Sequence, residues 1–399
     1  MRRYIYMSTF IPRHKRETVL NSLNLFDNNA ADTLSYAIYN GLKECNAFDF
    51  FTINVAPVGP YPKCSKKNSY NGETIKDRNK KIIDLSFSTI FLYQHYSIYV
   101  SSKRILKSIL NKDDEFVFIV YSINLSVLKS LIYFKKKGYR IKIVLIIPDF
   151  WDDMLSGVTL KSRIKSLVIP NVQEIYNNCD AFVLLTKQMN EKINIKRPYC
   201  VVEGMYNSKE NRPDPIIKNH HVKIFFYAGM LHEKFGVTQL VNAFHKIPNQ
   251  DIRLRLCGSG DAANDIIELS KTDHRIEYLG LLNREDVLKE QFDADFLVNP
   301  RTSNGTFTKY SFPSKTIEYF VSGTPAIIHK LPGIPEDYYE HCITFPSSKD
   351  EDIIETFNKV LTLDPYELYH IGIDAKRFIE GEKNEKIQSA KIIELINEI

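Results

Sequence analysis

The stretch that constrains this chain most runs from residue 294 to residue 328. It reads as an apolar strand, a polar loop, a short helix and a second apolar strand, Ala326-Ile327-Ile328. Pro313 suits the first helical position, where a missing N–H costs nothing. Gly323 fits the C-terminal cap, and Pro325 just beyond prevents continuation. Strand, loop and helix start bring backbone amides and the positive end of a helix to one place, which suits a phosphate or diphosphate. Glu318 follows Ser314 and Lys315 at helical spacing and faces the same general direction.

The rest of the second half repeats this alternation. Apolar runs at 222–229, 253–257, 276–279 and 295–299 are separated by helical spacing over 237–245, 261–271 and 284–291. Such alternation predicts a parallel sheet with ligands at the carboxyl ends of the strands. In the first half, strands are expected at 3–10, 50–55, 116–121, 141–147 and 181–185. The run 141–147 is apolar throughout, as in a strand buried on both faces, and it ends at Pro148-Asp149. At 399 residues the chain is long enough for two domains. They are expected at 1–205 and 222–373, with a polar, proline-bearing linker at 206–221 and a charged terminal helix over 374–399. The fold class is α/β.

Charge is divided unevenly. Residues 1–205 hold 30 Lys and Arg against 18 Asp and Glu, a net +12, whereas 206–399 hold 23 against 30, a net −7. A basic first half points to an anionic acceptor or surface. The basic amphipathic run at 159–169 suits a membrane surface, and equally a helix that merely covers the sheet. Six scattered cysteines show no metal spacing and read as reduced thiols. No signal peptide is evident, and the most apolar region, 116–134, is interrupted by Asn124 and Lys129. A cytoplasmic protein, peripheral at the inner face of the membrane, is expected. Nucleic acid is excluded as a partner, because the basic residues lack an aromatic-interleaved motif.

Three strand ends of the second half carry candidate ligand groups. Gly229 permits close backbone approach, and Lys234 can neutralise a diphosphate. Gly258-Ser259-Gly260 reads as turn chemistry. Between Arg301 and Glu318 two cations, a helix start and a carboxylate coincide. Taken in order, Tyr227-Ala228-Gly229, Leu256-Cys257-Gly258-Ser259-Gly260, Tyr278-Leu279-Gly280, Asn299-Pro300-Arg301 and Phe312-Pro313-Ser314-Lys315 through Glu318-Tyr319 to Gly323-Thr324-Pro325 resemble the donor domain of a GT-B glycosyltransferase of family 4.

The resemblance implies two facing Rossmann-like domains with a cleft between them, and a final helix that crosses back to the first domain. It implies a nucleotide-sugar, bound by Gly229, Lys234, Arg301, Tyr310, Phe312, Ser314, Lys315, Thr316 and Glu318; a UDP-sugar is the expected donor, although the residues themselves do not fix the base. Glu318 matches the second glutamate of an E-x7-E motif that holds the ribose hydroxyls; the first falls on Tyr310, a departure from the pattern. Met230 stands where the family has an arginine, so Lys234, Arg301 and Lys315 must neutralise the diphosphate. Asp149 and Glu318 are the candidate catalytic residues. Asp149 contacts the acceptor hydroxyl or the sugar, or else caps a helix; Asn28 and Asn29 donate from the first strand–helix loop.

Retention of configuration, no cofactor and no metal are implied. Asp293-Ala294-Asp295 has the spacing of a metal motif but leads into a buried strand. The expected activity is sugar transfer to a lipid-linked or polysaccharide acceptor in capsule, O-antigen or exopolysaccharide synthesis. Two other readings stand beside it: a nucleotide-sugar epimerase of the same fold, and a non-catalytic nucleotide-sugar-binding partner of a glycan assembly complex, which Tyr310 would suit.

Overall fold

The computed structural model describes residues 1–25, 29–77, 80–150, 172–194, 196–206, 208, 212–303 and 305–399. Asn28 and the basic run 159–169 lie outside the described residues, as does the side chain of Asn29. The chain divides into two compact units, Met1–Met205 with Glu385–Ile399, and Tyr206–Asn384.

In the first unit the described residues form an eight-stranded sheet. Its order is Tyr199–Val201, Ala181–Leu184, Arg140–Ile147, Glu115–Tyr121, Arg2–Ser8, Phe50–Asn54, Lys80–Asp84 and Thr74–Asp77. Only the edge strand Thr74–Asp77 runs antiparallel to its neighbour. Glu115–Tyr121 and Arg140–Ile147 are apolar without alternation because almost every residue in them is buried. Helix Asn29–Cys45 buries Ala37, Ile38, Tyr39 and Leu42. A Cβ on its Gly41 would lie 2.1 Å from the carbonyl oxygen of Glu385. Glycine there lets the last helix, Glu385–Asn397, pack directly against it.

The single helix expected over 374–399 is instead the end of one helix and the whole of another. Pro365–Glu382 starts on an Asp364–Glu367 capping box and belongs to the second unit. It stops at Lys383 because the Lys383 carbonyl accepts from the Tyr206 N–H at 2.9 Å instead of from the next turn. Lys383 Nζ also reaches Asp337 at 3.0 Å.

The second unit is a sheet of six parallel strands, in the order Ile276–Tyr278, Ile252–Ser259, Lys223–Met230, Phe296–Asn299, Ala326–His329 and Ile343–Phe345. Its core centres on Phe225, fully buried, which stacks on Phe296 at 4.7 Å and meets Phe357 edge-on at 4.5 Å. Burying each such ring contributes about 1.5–3 kcal/mol. Residues 206–221, read as a linker, group with this unit. Lys218 Nζ donates to the Ala294 carbonyl at 2.5 Å, and His220 meets Asp295 at 3.0 Å. The Asp295 carboxylate also accepts from the Ile224 N–H at 2.9 Å, so it is committed to the start of its strand rather than offered to a metal.

In each sheet the strand order reverses beside the first strand of the unit. Open α/β sheets form ligand crevices at such switch points, outside the carboxyl ends of the strands. In the second unit the crevice falls between Lys223–Met230 and Phe296–Asn299; in the first it falls between Arg2–Ser8 and Glu115–Tyr121. Among the described residues, no helix is long and apolar enough to cross a membrane.

Candidate functional site

At the second unit's switch point the parallel sheet brings three separate stretches together. Gly229 and Gly258 sit side by side in register on neighbouring strands. Gly258 has φ +141°, and a Cβ on it would lie 1.8 Å from the Gly229 carbonyl oxygen. Glycine is therefore required there by close backbone approach as well as by conformation, which goes beyond the plain turn expected from Gly258-Ser259-Gly260. Over Gly229 lies the side chain of Lys315. A Cβ on Gly229 would be 2.7 Å from Lys315 Cε and 2.6 Å from Tyr227 Oη. The Tyr227 hydroxyl donates to the Met230 carbonyl at 3.1 Å. Burial pushes its pKa up, against the opposing charge of Arg301.

Lys315 opens the helix Lys315–Ser322, which Gly323 ends with φ +72°. Pro313 lies before the helix, not at its first position; its carbonyl accepts from the Thr316 N–H at 2.9 Å. Ser314 is exposed at the helix start. One turn on, Glu318 accepts a hydrogen bond from the Gln291 side-chain amide and stands 4.0 Å from Arg284 Nη1. Arg212 Nη1 donates to its carbonyl oxygen at 3.4 Å. Burial pushes the Glu318 pKa up, but Lys315, the Gln291 amide, Arg212 and Arg284 outweigh it and hold the carboxyl below its ordinary value. The site thus pairs a partly exposed, ionised carboxylate with a cation laid over bare backbone. That combination accepts hydroxyl hydrogen bonds and neutralises phosphate oxygens.

The other expected residues are placed differently. Arg301 lies above the rings of Phe307 and Phe235, with its guanidinium 5.0 and 5.8 Å from their centroids, and donates to Ser311 Oγ at 2.5 Å. Tyr310 closes the short turn Thr306–Lys309 and is half-buried. Phe312 is buried against Tyr338, and Thr316 is fully buried, so their side chains line the core instead of facing solvent. Lys234 borders a cavity of about 500 Å³ at the start of helix Val237–His245, with Glu233, Thr302 and Asp350.

In the first unit Asp149 is exposed just past the carboxyl end of Arg140–Ile147. Its charge reaches the buried phenol of Tyr121, whose pKa burial drives far up. Tyr121 lines the switch-point crevice with Ser8, Thr9 and Asn124, and its hydroxyl has no partner among the described residues.

Sequence reasoning missed Gln291, Arg284, Arg212 and Tyr121. Gln291 carried the one usable signal, a polar residue at a position that a helix covering the sheet buries. The basic run Arg13-His14-Lys15-Arg16 is in part neutralised internally. Arg13 and Arg16 bind the buried Asp32, and Lys15 binds the buried Asp84 at 2.6 Å.

Residues 222–362 match the family Glycosyl transferases group 1. No curated protein matches the chain by sequence. Among solved structures, the sucrose-phosphate synthase of Thermosynechococcus elongatus is 12% identical and superposes with a TM-score of 0.66 over 99% of this chain and 98% of its own. A trehalose-6-phosphate structure from E. coli, bound with UDP-2-fluoro glucose, is 10% identical with a TM-score of 0.67, over 100% and 99%. The lipopolysaccharide outer core galactosyltransferase WaaB is 14% identical with a TM-score of 0.59, over 100% and 99%. At these identities the likeness establishes the fold, GT-B with two Rossmann-like domains. The chain is a glycosyltransferase whose second unit carries the Glycosyl transferases group 1 domain.

Proposed function

We propose that this glycosyltransferase takes a sugar from a UDP-sugar and passes it, with retention and without a metal ion, to a lipid-linked or polysaccharide acceptor. The products would be bacterial capsule, O-antigen or exopolysaccharide, made at the inner face of the membrane. The observation that carries the donor reading is Lys315 lying across Gly229, one helical turn from the ionised Glu318. Glu318 accepts the ribose hydroxyls. Lys315 and the exposed helix start at Ser314 meet the diphosphate, with Arg301 and Lys234 as further cations on neighbouring loops.

Cleaving the anomeric C–O bond leaves its electron pair on the diphosphate and oxocarbenium character on the sugar. Fixed cations and amides aimed at the leaving group lower that barrier without reorganising during the reaction. In the first unit Asp149 receives the acceptor hydroxyl beside Tyr121. The UDP-2-fluoro glucose bound in the E. coli structure supports UDP as the nucleotide. The lipopolysaccharide galactosyltransferase among the structural neighbours supports a lipid-linked acceptor.

The test is to supply UDP-glucose, UDP-galactose and UDP-N-acetylglucosamine with a bacterial lipid extract and a chelator, and to follow UDP release and sugar incorporation. Turnover of one donor, abolished by Glu318→Ala, is expected. Turnover only after a divalent cation is restored would refute the metal-free mechanism; equal turnover in the variant would refute the donor site.

A further inference from the structure

Exposed apolar side chains of the first unit collect at one place. Ile90, Phe91, Leu92 and Tyr93 form a turn leading into helix Gln94–Ile109; Phe91 is 61% and Leu92 is 85% exposed. Tyr61 and Leu25 extend the same face. The Tyr61 N–H donates to the Thr89 carbonyl at 2.7 Å, and the Leu25 N–H to the Cys64 carbonyl at 3.3 Å. The turn is firmly held. Gln94 donates from its backbone to the Ile90 carbonyl at 2.8 Å and from its buried side chain to the Val58 carbonyl at 2.7 Å, while Thr89 Oγ1 donates to the Lys67 carbonyl at 2.5 Å. A fold that fixes large apolar groups out in water has a use for them there.

The charge around this tip has one sign. Residues 50–72 and 85–112 contain seven Lys and Arg and not one Asp or Glu. Lys63, Lys66 and Lys67 are exposed on the loop that carries Tyr61; Arg104 and Lys107 are exposed further along the helix that follows, about 15 and 20 Å from its start. Of the four carboxylates that flank these stretches, Asp84 holds Lys15 at 2.6 Å, Glu73 holds His14 at 2.9 Å and Asp49 holds Lys80 at 2.8 Å, while Asp113 lies beyond the far end of helix Gln94–Ile109.

We propose that the Ile90-Phe91-Leu92-Tyr93 turn is an insertion loop that seats this unit on an anionic bilayer. Its apolar tip enters the boundary between headgroups and acyl chains. Tyr61, Tyr93 and Tyr96 suit the headgroup level, and the lysines meet anionic lipid. The loops involved follow the parallel strands Phe50–Asn54 and Lys80–Asp84, so they leave the carboxyl edge of the sheet, the edge that also bears Asp149. An acceptor held in the membrane would therefore be presented to that edge. This deepens the lipid-linked acceptor reading and rests on it for its purpose.

The test is sedimentation of the full chain with vesicles of equimolar phosphatidylglycerol and phosphatidylcholine, and with phosphatidylcholine alone, in the absence of donor and acceptor. Wild type is expected to bind the anionic vesicles, less tightly as salt rises. Phe91→Ser/Leu92→Ser is expected to bind at least about tenfold more weakly. It should keep the wild-type melting temperature, because both side chains are exposed. Equal binding by the variant, or no binding by wild type, overturns the proposal. So does gel filtration showing a wild-type dimer that the variant dissolves, if wild type then ignores vesicles. Vesicle binding without sugar transfer would instead overturn the acceptor reading and leave the loop standing.

Discussion

Replacing Gly229 with alanine tests how the second unit's site is built. The new Cβ would sit 2.7 Å from Lys315 Cε and 2.6 Å from Tyr227 Oη. Both atoms must move by several tenths of an ångström. The Tyr227 hydroxyl then loses its 3.1 Å bond to the Met230 carbonyl. Losing that bond costs about 1 kcal/mol, and overpacking adds about 1–2 kcal/mol. Urea unfolding should therefore show about 2–3 kcal/mol of destabilisation, which leaves the protein folded.

The functional effect should be larger. Moving the Lys315 ammonium off a charge-assisted contact costs about 1.5–3 kcal/mol, roughly ten- to a hundredfold in UDP affinity by calorimetry. Lys315→Met removes the same contact directly, so the double variant should bind UDP no more weakly than Lys315→Met alone. Additive losses in this double-mutant cycle would refute the claim that Gly229 acts by leaving room for Lys315.

Three further outcomes follow from the same geometry. Gly258→Ala meets backbone, 1.8 Å from the Gly229 carbonyl oxygen at φ +141°, and should destabilise by at least about 3 kcal/mol in urea unfolding; a loss below about 1 kcal/mol would contradict the close approach. Burial holds the His329 pKa down at about 4, below its ordinary value, so the unfolded chain takes up the proton first and stability falls with pH. This loss begins near pH 6.5, reaches about 2 kcal/mol at pH 5 and levels off near 3 kcal/mol below pH 4; His329→Phe should flatten that part of the stability–pH curve, and an unchanged curve would count against it. Asp149→Asn, at an exposed position, should leave stability and UDP affinity intact while lowering transfer at least about tenfold; unaltered transfer would remove Asp149 from the reaction.

Much of this was legible in the sequence because the physics involved is local or periodic. Alternating apolar runs and helical spacing gave five strands of each sheet and the parallel order of the second, and the Gly323 cap and Glu318 could be read from a single helix. What joins Lys315 to Gly229 is strand order, which sets stretches about 90 residues apart side by side and leaves no local mark. The partners of Glu318 were hidden for the same reason. Gln291, Arg284 and Arg212 come from another helix and from the segment read as a linker. Counting charges along the chain gave the net +12 of the first half but not where its cations sit: Arg13, Lys15 and Arg16 face the buried carboxylates of Asp32 and Asp84. The apolar turn at 90–93 escaped notice because a strand-like run such as Thr89-Ile90-Phe91-Leu92 is ordinarily buried.

The central claim, a nucleoside diphosphate seated on Gly229, Lys315 and Glu318, is tested most directly by thermal unfolding of the pure protein with UDP, GDP and ADP and no added metal. A ligand that binds only the native state raises the melting temperature by mass action. The account predicts a clear rise with one diphosphate, UDP, lost in Glu318→Ala and in Lys315→Met. Because neighbouring groups hold the Glu318 carboxyl below its ordinary pKa, protonation of that carboxyl should not weaken the rise between pH 8 and pH 6. No rise with any diphosphate, or a rise that both variants retain, would contradict it.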